Sequence, residues 1–334
     1  MKCEANNMTT TIFPPPAVYR GTRLVGLRFQ ERDARILDVI YEYGGVVAKR
    51  QLKQVFWPDK SDRAMEKRLS KLLGGGYIDW PKRDDWRSHP IPEPICWLGW
   101  KGVLLLGERR ALQVEAVSKA NENQIRRLDS QLRKQGFRWM REPRWIQLEH
   151  DLAVVDFRLV LENSLKNRPH LKLSEWLNEG VFRSEMDIME YEVEGHSGAP
   201  RKMRRGVCPD AFFVIDDDQR KRGGQPYRAR FLLELDNATH DNPSFGLEKA
   251  LPGAAYINST AYKERFGHNS GRWLIVTTAG QRRLENLVAQ TEAKLGQHSE
   301  LFFFTTFDQL KAGDLIGDEI WIQGGSRKPC SLKL

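Results

Sequence analysis

Four short apolar runs in the second half of the chain constrain its fold more than any other feature. They are residues 211–215, 231–235, 273–277 and 301–304. Segments of helical character, around 245–256 and from Gln281 onward, separate the last three runs. Runs that are apolar at nearly every position are typical of strands buried on both faces. The alternation of strands and helices therefore predicts an α/β domain with helices on both faces of its sheet.

Two further elements are predicted just before these runs. Residues 148–165 form a long helix in this interpretation, and residues 179–183 form a strand. We assign residues 146–334 to the α/β domain. Residues 113–145 are assigned to a connecting helix, because charged and apolar residues alternate over about 119–134 as in an amphipathic helix.

The first part of the chain has the element order of a winged-helix domain. Helical spacing of apolar residues and clear stop signals predict three helices, and two short strands around a turn-rich segment follow them. The helices begin near Phe29, at Lys49 and after Ser61, and the strands are residues 77–80 and 95–98. Three helices followed by a β-hairpin is the order of a winged helix. We assign residues 28–112 to this domain and residues 1–27 to an extended or disordered lead-in.

Basic side chains are concentrated on the third helix and in the hairpin loop. In a winged helix the third helix lies in the major groove, and the hairpin loop, or wing, contacts the DNA backbone or minor groove. The residues predicted to contact DNA are Arg63, Lys67, Arg68 and Lys71 on the helix and Lys82, Arg83 and Arg87 in the wing. The alternative is a solvated basic face on a winged helix that binds a protein, since this fold also mediates protein contacts.

The overall charge agrees with a nucleic-acid partner. The chain of 334 residues has 53 Lys and Arg against 44 Asp and Glu, and this net charge of +9 favours a polyanion. The four cysteines form no paired motif, which argues against a zinc ribbon or a disulfide framework and favours a reducing cytosol. No apolar run reaches the length of a membrane helix. We therefore expect a cytoplasmic protein without membrane contact.

Acidic residues stand at the ends of two of the buried runs. Asp210 comes directly before the first run, and Glu234 and Asp236 lie at the end of the second. Residues two apart in a strand share a face, so Glu234 and Asp236 are expected to point the same way. An aspartate and a glutamate on neighbouring strands are suitable ligands for Mg²⁺, which takes one or two carboxylates and keeps several waters. Such an ion activates water and stabilises the leaving oxygen of a phosphodiester.

This pattern is that of the PD-(D/E)XK nuclease fold, a restriction-endonuclease-like α/β domain, with one departure. The pattern has a lysine two positions after the second acid, where this chain has Asp236. We predict Asp210 and Glu234 as metal ligands, Asp236 as an auxiliary acid and Lys249 as the charge partner that replaces the missing lysine. Glu185 is a further candidate for the site. The alternative is that these acids lie at solvated strand ends and bind no metal.

Short blocks in a fixed order resemble the replication-relaxation family, which is found on bacterial plasmids and mobile elements. The blocks are residues 31–37 (ERDARIL), 148–157 (LEHDLAVVDF), 181–185 (VFRSE), 208–213 (CPDAFF), 231–236 (FLLELD), Lys249 with Tyr256, and 274–278 (LIVTT). The resemblance spans about residues 29–310. It implies a winged helix joined to a restriction-endonuclease-like domain, and it implies that the Glu-x-Asp form is a family trait.

Two hypotheses for the function follow. In the first, the protein binds double-stranded DNA of a plasmid or mobile element, and its α/β domain is a Mg²⁺-dependent endonuclease or nickase. In the second, the α/β domain is a degenerate nuclease fold that serves as a scaffold in a non-catalytic regulator or adaptor of replication, transcription or transposition. Asp236 in place of lysine favours the second. A homodimer and protein partners from a mobile-element complex are compatible with both.

Overall fold

The computed structural model describes residues 28–114, 117, 121–194, 200–238, 244–332 and 334. The lead-in predicted for residues 1–27 lies outside the described residues. The described chain divides into two units, and the boundary between Asp156 and Phe157 falls inside one long helix.

The first unit begins with three helices and a small sheet. They are helices α1 (Glu31–Glu42), α2 (Lys49–Phe56) and α3 (Asp62–Gly74) and strands β1 (Val46–Ala48), β2 (Ile78–Asp79) and β3 (Ile95–Leu98). Strand β3 lies between β1 and β2 and pairs antiparallel with both. The three predicted helices and the two predicted strands are confirmed. The sequence did not indicate β1, because three consecutive buried residues are too short a run to reveal a period.

Helix α1 shows why these segments fold locally. Ile36 and Ile40 recur at helical spacing and are fully buried. The backbone N–H of Gln30 donates a hydrogen bond to the Asp33 carboxylate at 2.6 Å, which closes the start of the helix. The helix ends before Gly44, whose φ of +99° lies in the left-handed region that favours glycine.

Three more helices complete this part of the chain. They are α4 (Arg83–Ser88), α5 (Trp100–Arg109) and α6 (Glu122–Lys134). Helix α4 lies within the segment predicted as a turn-rich loop, so that prediction is wrong there. The backbone N–H of Lys82 donates to the Asp85 carboxylate at 2.8 Å, which caps this short helix. Helix α5 was not predicted. The helix predicted over about residues 119–134 is confirmed as α6, which lies within the first unit.

Helix α7 (Leu148–Lys166) confirms the predicted long helix. Its first turns belong to the first unit, where Leu148 and Leu152 pack against Val46, Ala48 and Ile95 of the small sheet. This packing gives the small sheet an apolar cover.

The second unit is built on a seven-stranded sheet. The strands of this unit are β4 (Leu171–Asn178), β5 (Asp187–Glu194), β6 (Pro200–Val207), β7 (Ala211–Arg222), β8 (Gln225–Asp236), β9 (Arg272–Thr277), β10 (Phe302–Thr306), β11 (Trp321–Gln323) and β12 (Pro329–Cys330). Strands β5 and β6 form a separate hairpin, and the other seven form the large sheet. The strand order in the large sheet is β12-β11-β10-β9-β8-β7-β4. Strands β4, β7 and β8 form an antiparallel meander, and β8, β9 and β10 run parallel. The sheet is therefore mixed.

Helices cover both faces of this sheet, as the continuous apolar runs predicted. They are α7, α8 (Glu179–Ser184), α9 (Leu251–Ile257), α10 (Thr260–Phe266), α11 (Gly280–Leu295) and α12 (Phe307–Ala312). Phe212 and Leu232 face a core that includes Leu284 of α11. Phe213 points to the other face, where its ring lies 5.9 Å from that of Phe157 in α7. Among the described helices, none is both long and apolar enough to cross a membrane.

The strand predicted for residues 179–183 is wrong. This segment is helix α8, and the strand β4 directly precedes it. A five-residue run with two apolar side chains does not distinguish a strand from one helical turn, and Phe182 is buried equally well by the helix. Strands β4, β5 and β6 were not predicted.

Candidate functional site

A row of cations lies on one face of helix α3. Arg63, Lys67 and Lys71 are all exposed. Their four-residue spacing places them along one side of the helix, over about 12 Å. None of the three forms an ion pair within the described part of the chain. This row therefore has no internal counter-charge.

The acids of helix α3 are neutralised by the helix that precedes it. Lys49 of α2 lies 3.0 Å from Glu66, and Lys53 of α2 lies 2.6 Å from Asp62. These pairs remove most of the local negative charge that would repel a polyanion. The cationic row on α3 is left as the dominant charge of that face.

Arg68 has different contacts from its neighbours on α3. Its guanidinium donates to both carboxylate oxygens of Asp33, with the Nε bond at 2.6 Å, and to the carbonyl of Arg28 at 3.0 Å. Asp33 is completely buried. Arg68 therefore fixes α3 to α1, and we leave it out of the proposed DNA-contacting set.

The predicted wing residues lie on or beside helix α4. Lys82, Arg83 and Arg87 are all exposed. Arg87 has Asp84 at 3.7 Å, a weak and solvated pair. Lys82 and Arg83 form no ion pair within the described residues. The element that joins β2 to β3 thus presents cations on a short helix rather than on an irregular loop.

Asp210 and Glu234 are neighbours across strands β7 and β8. The backbone N–H of Asp210 donates to the carbonyl of Leu233 at 2.9 Å. The N–H of Leu235 donates to the Asp210 carboxylate at 2.7 Å. These two bonds flank Glu234, and both acids are more than nine-tenths buried. The structure therefore brings the two predicted metal ligands together.

Lys249 reaches this pair of acids from the helical turn of residues 246–250, just before α9. Its Nζ lies 2.5 Å from Oε1 of Glu234. Burial lowers the pKa of Lys249, but the negative charges of Glu234 and Asp210 together raise it by more than burial lowers it. The pKa of Lys249 therefore lies above its ordinary value. Lys249 is therefore protonated near neutral pH and supplies a positive charge rather than a base.

A cavity of about 180 Å³ opens beside Glu234 and Lys249. Cys208, Arg205 and Glu248 also line it, and its other walls are apolar. Burial raises the pKa of the Cys208 thiol to about 11, and the nearby Glu179 raises it as well. The thiol is therefore neutral at physiological pH and is not a nucleophile there.

Asp236 does not join this cluster. Both of its carboxylate oxygens accept hydrogen bonds from the guanidinium of Arg283 in α11, at 2.8 and 2.7 Å. Thr277 donates a third at 2.9 Å. We therefore assign Asp236 to the anchoring of α11 on the sheet, in place of the predicted role as auxiliary acid.

Glu185 also lies apart from the cluster. It follows helix α8 and is exposed, and its backbone carbonyl accepts a hydrogen bond from Arg265. The neighbouring acid Asp187 is the one with side-chain partners, Tyr256 at 2.7 Å and Arg265 at 2.8 Å. We leave Glu185 out of the proposed site.

The donor set of the cluster suits a magnesium ion held by few protein ligands. Within the described residues, no group of three or more His, Cys, Asp or Glu side chains is placed to hold a metal. Mg²⁺ binds through one or two carboxylates, and waters and substrate phosphates complete its coordination shell. Asp210 and Glu234 match that requirement.

Sequence reasoning did not find the partners that decide these roles. Arg283 is 47 residues from Asp236, and Asp33 is 35 residues from Arg68. One weak signal existed for Arg283. It falls on the apolar face of α11, next to Leu284 and four residues before Leu287, where an unpaired cation is costly.

Comparison with known proteins agrees with the resemblance in the sequence. The family model described as replication-relaxation matches residues 37–266, more than half of the chain. The matched range includes helix α3, Asp210, Glu234 and Lys249, and it ends before Arg283. The resemblance inferred from the sequence blocks is thereby confirmed. No curated protein and no solved structure matches the chain significantly.

Proposed function

Because the chain belongs to the replication-relaxation family, we propose that it binds double-stranded DNA and acts in the replication or relaxation of a plasmid or mobile element. The first unit is the DNA-binding winged helix in this proposal. Its element order α1-β1-α2-α3-β2-α4-β3 and the position of β3 between β1 and β2 support this assignment. The observation that carries the proposal is the exposed row of Arg63, Lys67 and Lys71 without acidic partners.

Neutralising this row tests the DNA-binding proposal. We expect Arg63→Gln/Lys67→Gln/Lys71→Gln to weaken binding to any duplex and to reduce the slope of log affinity against log salt by about 3, since each phosphate contact contributes about 0.9. Fluorescence anisotropy with a labelled duplex over a salt series measures both quantities.

The matched control removes the same charge from another helix. Arg127, Arg133 and Lys134 are exposed on α6, so Arg127→Gln/Arg133→Gln/Lys134→Gln should leave the salt slope close to that of the wild type. Equal losses in both triple variants would contradict a role for α3 and indicate that only net charge matters. A protein that does not bind duplex DNA at low salt would refute the proposal.

The second unit is, in this proposal, a PD-(D/E)XK-like domain that cleaves a phosphodiester with Mg²⁺. Two features support this: Asp210 and Glu234 lie side by side on the paired strands β7 and β8, and Lys249 lies 2.5 Å from Glu234. Asp210 and Glu234 would hold the ion, which when bound polarises the phosphate and makes a bound water more acidic. Protonated Lys249 supplies positive charge next to the substrate phosphate.

A non-catalytic scaffold is the second candidate function, and one observation favours it. The position that holds lysine in active PD-(D/E)XK sites holds Asp236, whose two oxygens are bound to Arg283. In this version the second unit keeps the fold and serves a regulator or adaptor. A thermal shift with Mg²⁺ or Mn²⁺ would then be absent, because nothing in the native state binds the ion.

Cleavage of plasmid DNA distinguishes the two candidates. Supercoiled plasmid and a linear duplex are incubated with the protein in Mg²⁺, Mn²⁺ or EDTA. We expect metal-dependent nicking or linearisation that disappears in Asp210→Ala/Glu234→Ala and persists in Glu300→Ala, whose acid is exposed on the same unit. Duplex binding should be unchanged in the double variant. Salt-sensitive binding without cleavage in any metal would support the scaffold and overturn the nuclease.

A further inference from the structure

Trp86 is the most exposed aromatic side chain among the described residues. It lies in the middle of helix α4, and 45% of its surface is accessible. Its ring stacks on no other ring and on no cation within the described part of the chain. By contrast, nearby His89 is stacked on Trp145 at 4.7 Å. The exposed part of the Trp86 indole is therefore accessible to an external planar group.

The surroundings of Trp86 are cationic. Lys82 and Arg83 are exposed and form no ion pair within the described residues. Asp84 lies 3.7 Å from Arg87, and Asp85 accepts the backbone N–H of Lys82, so the three cations of this segment outnumber its two acids by one. A planar ring beside free cations matches a ligand that is planar and anionic at once. A nucleobase with its phosphates has this combination.

Stacking on a nucleobase requires a base whose face is open. In a fully paired duplex both faces of each base are covered by neighbouring bases. A side chain can stack there only if two bases are first unstacked, which is energetically unfavourable. Bases that are bulged or unpaired, or that border a nick, avoid most of this cost. An aromatic side chain accepts any base in this way, because every base presents a π face.

We propose that Trp86 stacks on an unstacked nucleobase and makes the first unit prefer DNA with an unpaired or displaced base over fully paired DNA. This inference rests on the proposed DNA-binding function and adds the class of DNA that is bound. Lys82 and Arg83 hold the phosphates on either side of the stacked base. A protein contact is the competing role for an exposed tryptophan, and the unpaired cations beside the ring favour DNA.

The test compares two labelled duplexes of equal length and sequence, one fully paired and one with a single unpaired base. Anisotropy titrations at low and moderate salt are made with the full chain, with Trp86→Ala and with Trp86→Phe. We expect Trp86→Ala to lose on the order of tenfold affinity for the duplex with the unpaired base and little for the paired duplex. Trp86→Phe should keep most of the preference. The loss should be similar at both salt concentrations, because stacking involves no counterion release.

The control variant is Ile146→Ala. Ile146 is also in the first unit and is 96% exposed. Ile146→Ala should keep the wild-type preference for the duplex with the unpaired base. Equal binding of both duplexes by the wild type, unchanged in Trp86→Ala, would overturn the inference and leave the DNA-binding proposal intact. No binding to either duplex would overturn both. A change in oligomeric state of Trp86→Ala in sedimentation, without a change in DNA affinity, would assign Trp86 to a protein contact and also overturn the inference.

Discussion

Replacing Arg283 with alanine is expected to lower the free energy of unfolding by about 3–5 kcal/mol. The side chains of Arg283 and Asp236 are only 8% and 7% exposed and are joined by two hydrogen bonds. Without the guanidinium, Asp236 keeps only Thr277 as a side-chain donor within the described residues. An uncompensated buried carboxylate is costly because its desolvation is no longer offset. Urea denaturation followed by circular dichroism measures the loss.

Three further variants separate this structural role from catalysis. Arg282→Ala changes the adjacent exposed arginine and should alter stability by no more than about 0.5 kcal/mol. The double replacement Asp236→Leu/Arg283→Met should recover much of the lost stability, since a buried ion pair replaced by apolar side chains is often neutral. If Asp236→Asn abolished metal-dependent cleavage without loss of stability, Asp236 would be an auxiliary acid after all.

The pair also bears on the departure of this chain from the nuclease pattern. Asp236 occupies the lysine position of that pattern, and a carboxylate there needs a cation of its own. Arg283 supplies it from α11, while Lys249 supplies the charge for Glu234 from the turn before α9. Each acid of the Glu-x-Asp motif therefore has a separate partner on a separate helix. Of these two cations, Lys249 is the one beside the predicted metal ligands.

The sequence predicted the elements with strong periodicity or continuous apolar character. Helices α1, α3 and α7 have several turns of buried residues, and the runs 211–215, 231–235 and 273–277 within β7, β8 and β9 are apolar at nearly every position. Their type was therefore determined locally. The strands β5 and β6 escaped prediction because charged residues fill much of the hairpin and few of its side chains are buried.

The candidate site was predictable only as far as strand adjacency allows. Asp210 and Glu234 lie at facing ends of two apolar strands, so their proximity follows once β7 and β8 pair. Lys249 was predicted as the charge partner, but the sequence could not show that it reaches Glu234. That contact depends on where the helical turn of residues 246–250 packs, and the segment before this turn has no periodic pattern. The partners of Arg68 and Asp236 depend on tertiary packing over 35 and 47 residues, and charge type alone did not separate surface cations from buried ones.

Removing the carboxylate of Asp33 should have the largest effect on the first unit. Asp33 is completely buried, binds the Arg68 guanidinium through both oxygens and accepts the backbone N–H of Gln30. Asp33→Ala leaves Arg68, whose side chain is 11% exposed, without its carboxylate partner and removes the cap of α1. We expect a loss of about 3–5 kcal/mol in the free energy of unfolding. Asp59→Ala, at an exposed acid before α3, should change it by no more than about 0.5 kcal/mol.

The same pair provides a test of why Arg68 differs from the other cations of α3. Arg68→Ala should destabilise the protein to a similar extent as Asp33→Ala, and the double variant should be far less destabilised than the sum of the two, because the single variants break one shared interaction. At low temperature, where the variants are still folded, Arg68→Ala should bind a duplex with the affinity and salt slope of the wild type, whereas Lys67→Gln should reduce the slope by about 1. A reduced slope for Arg68→Ala in the folded state would return Arg68 to the DNA-contacting face, because its guanidinium would then have to leave Asp33 to meet a phosphate.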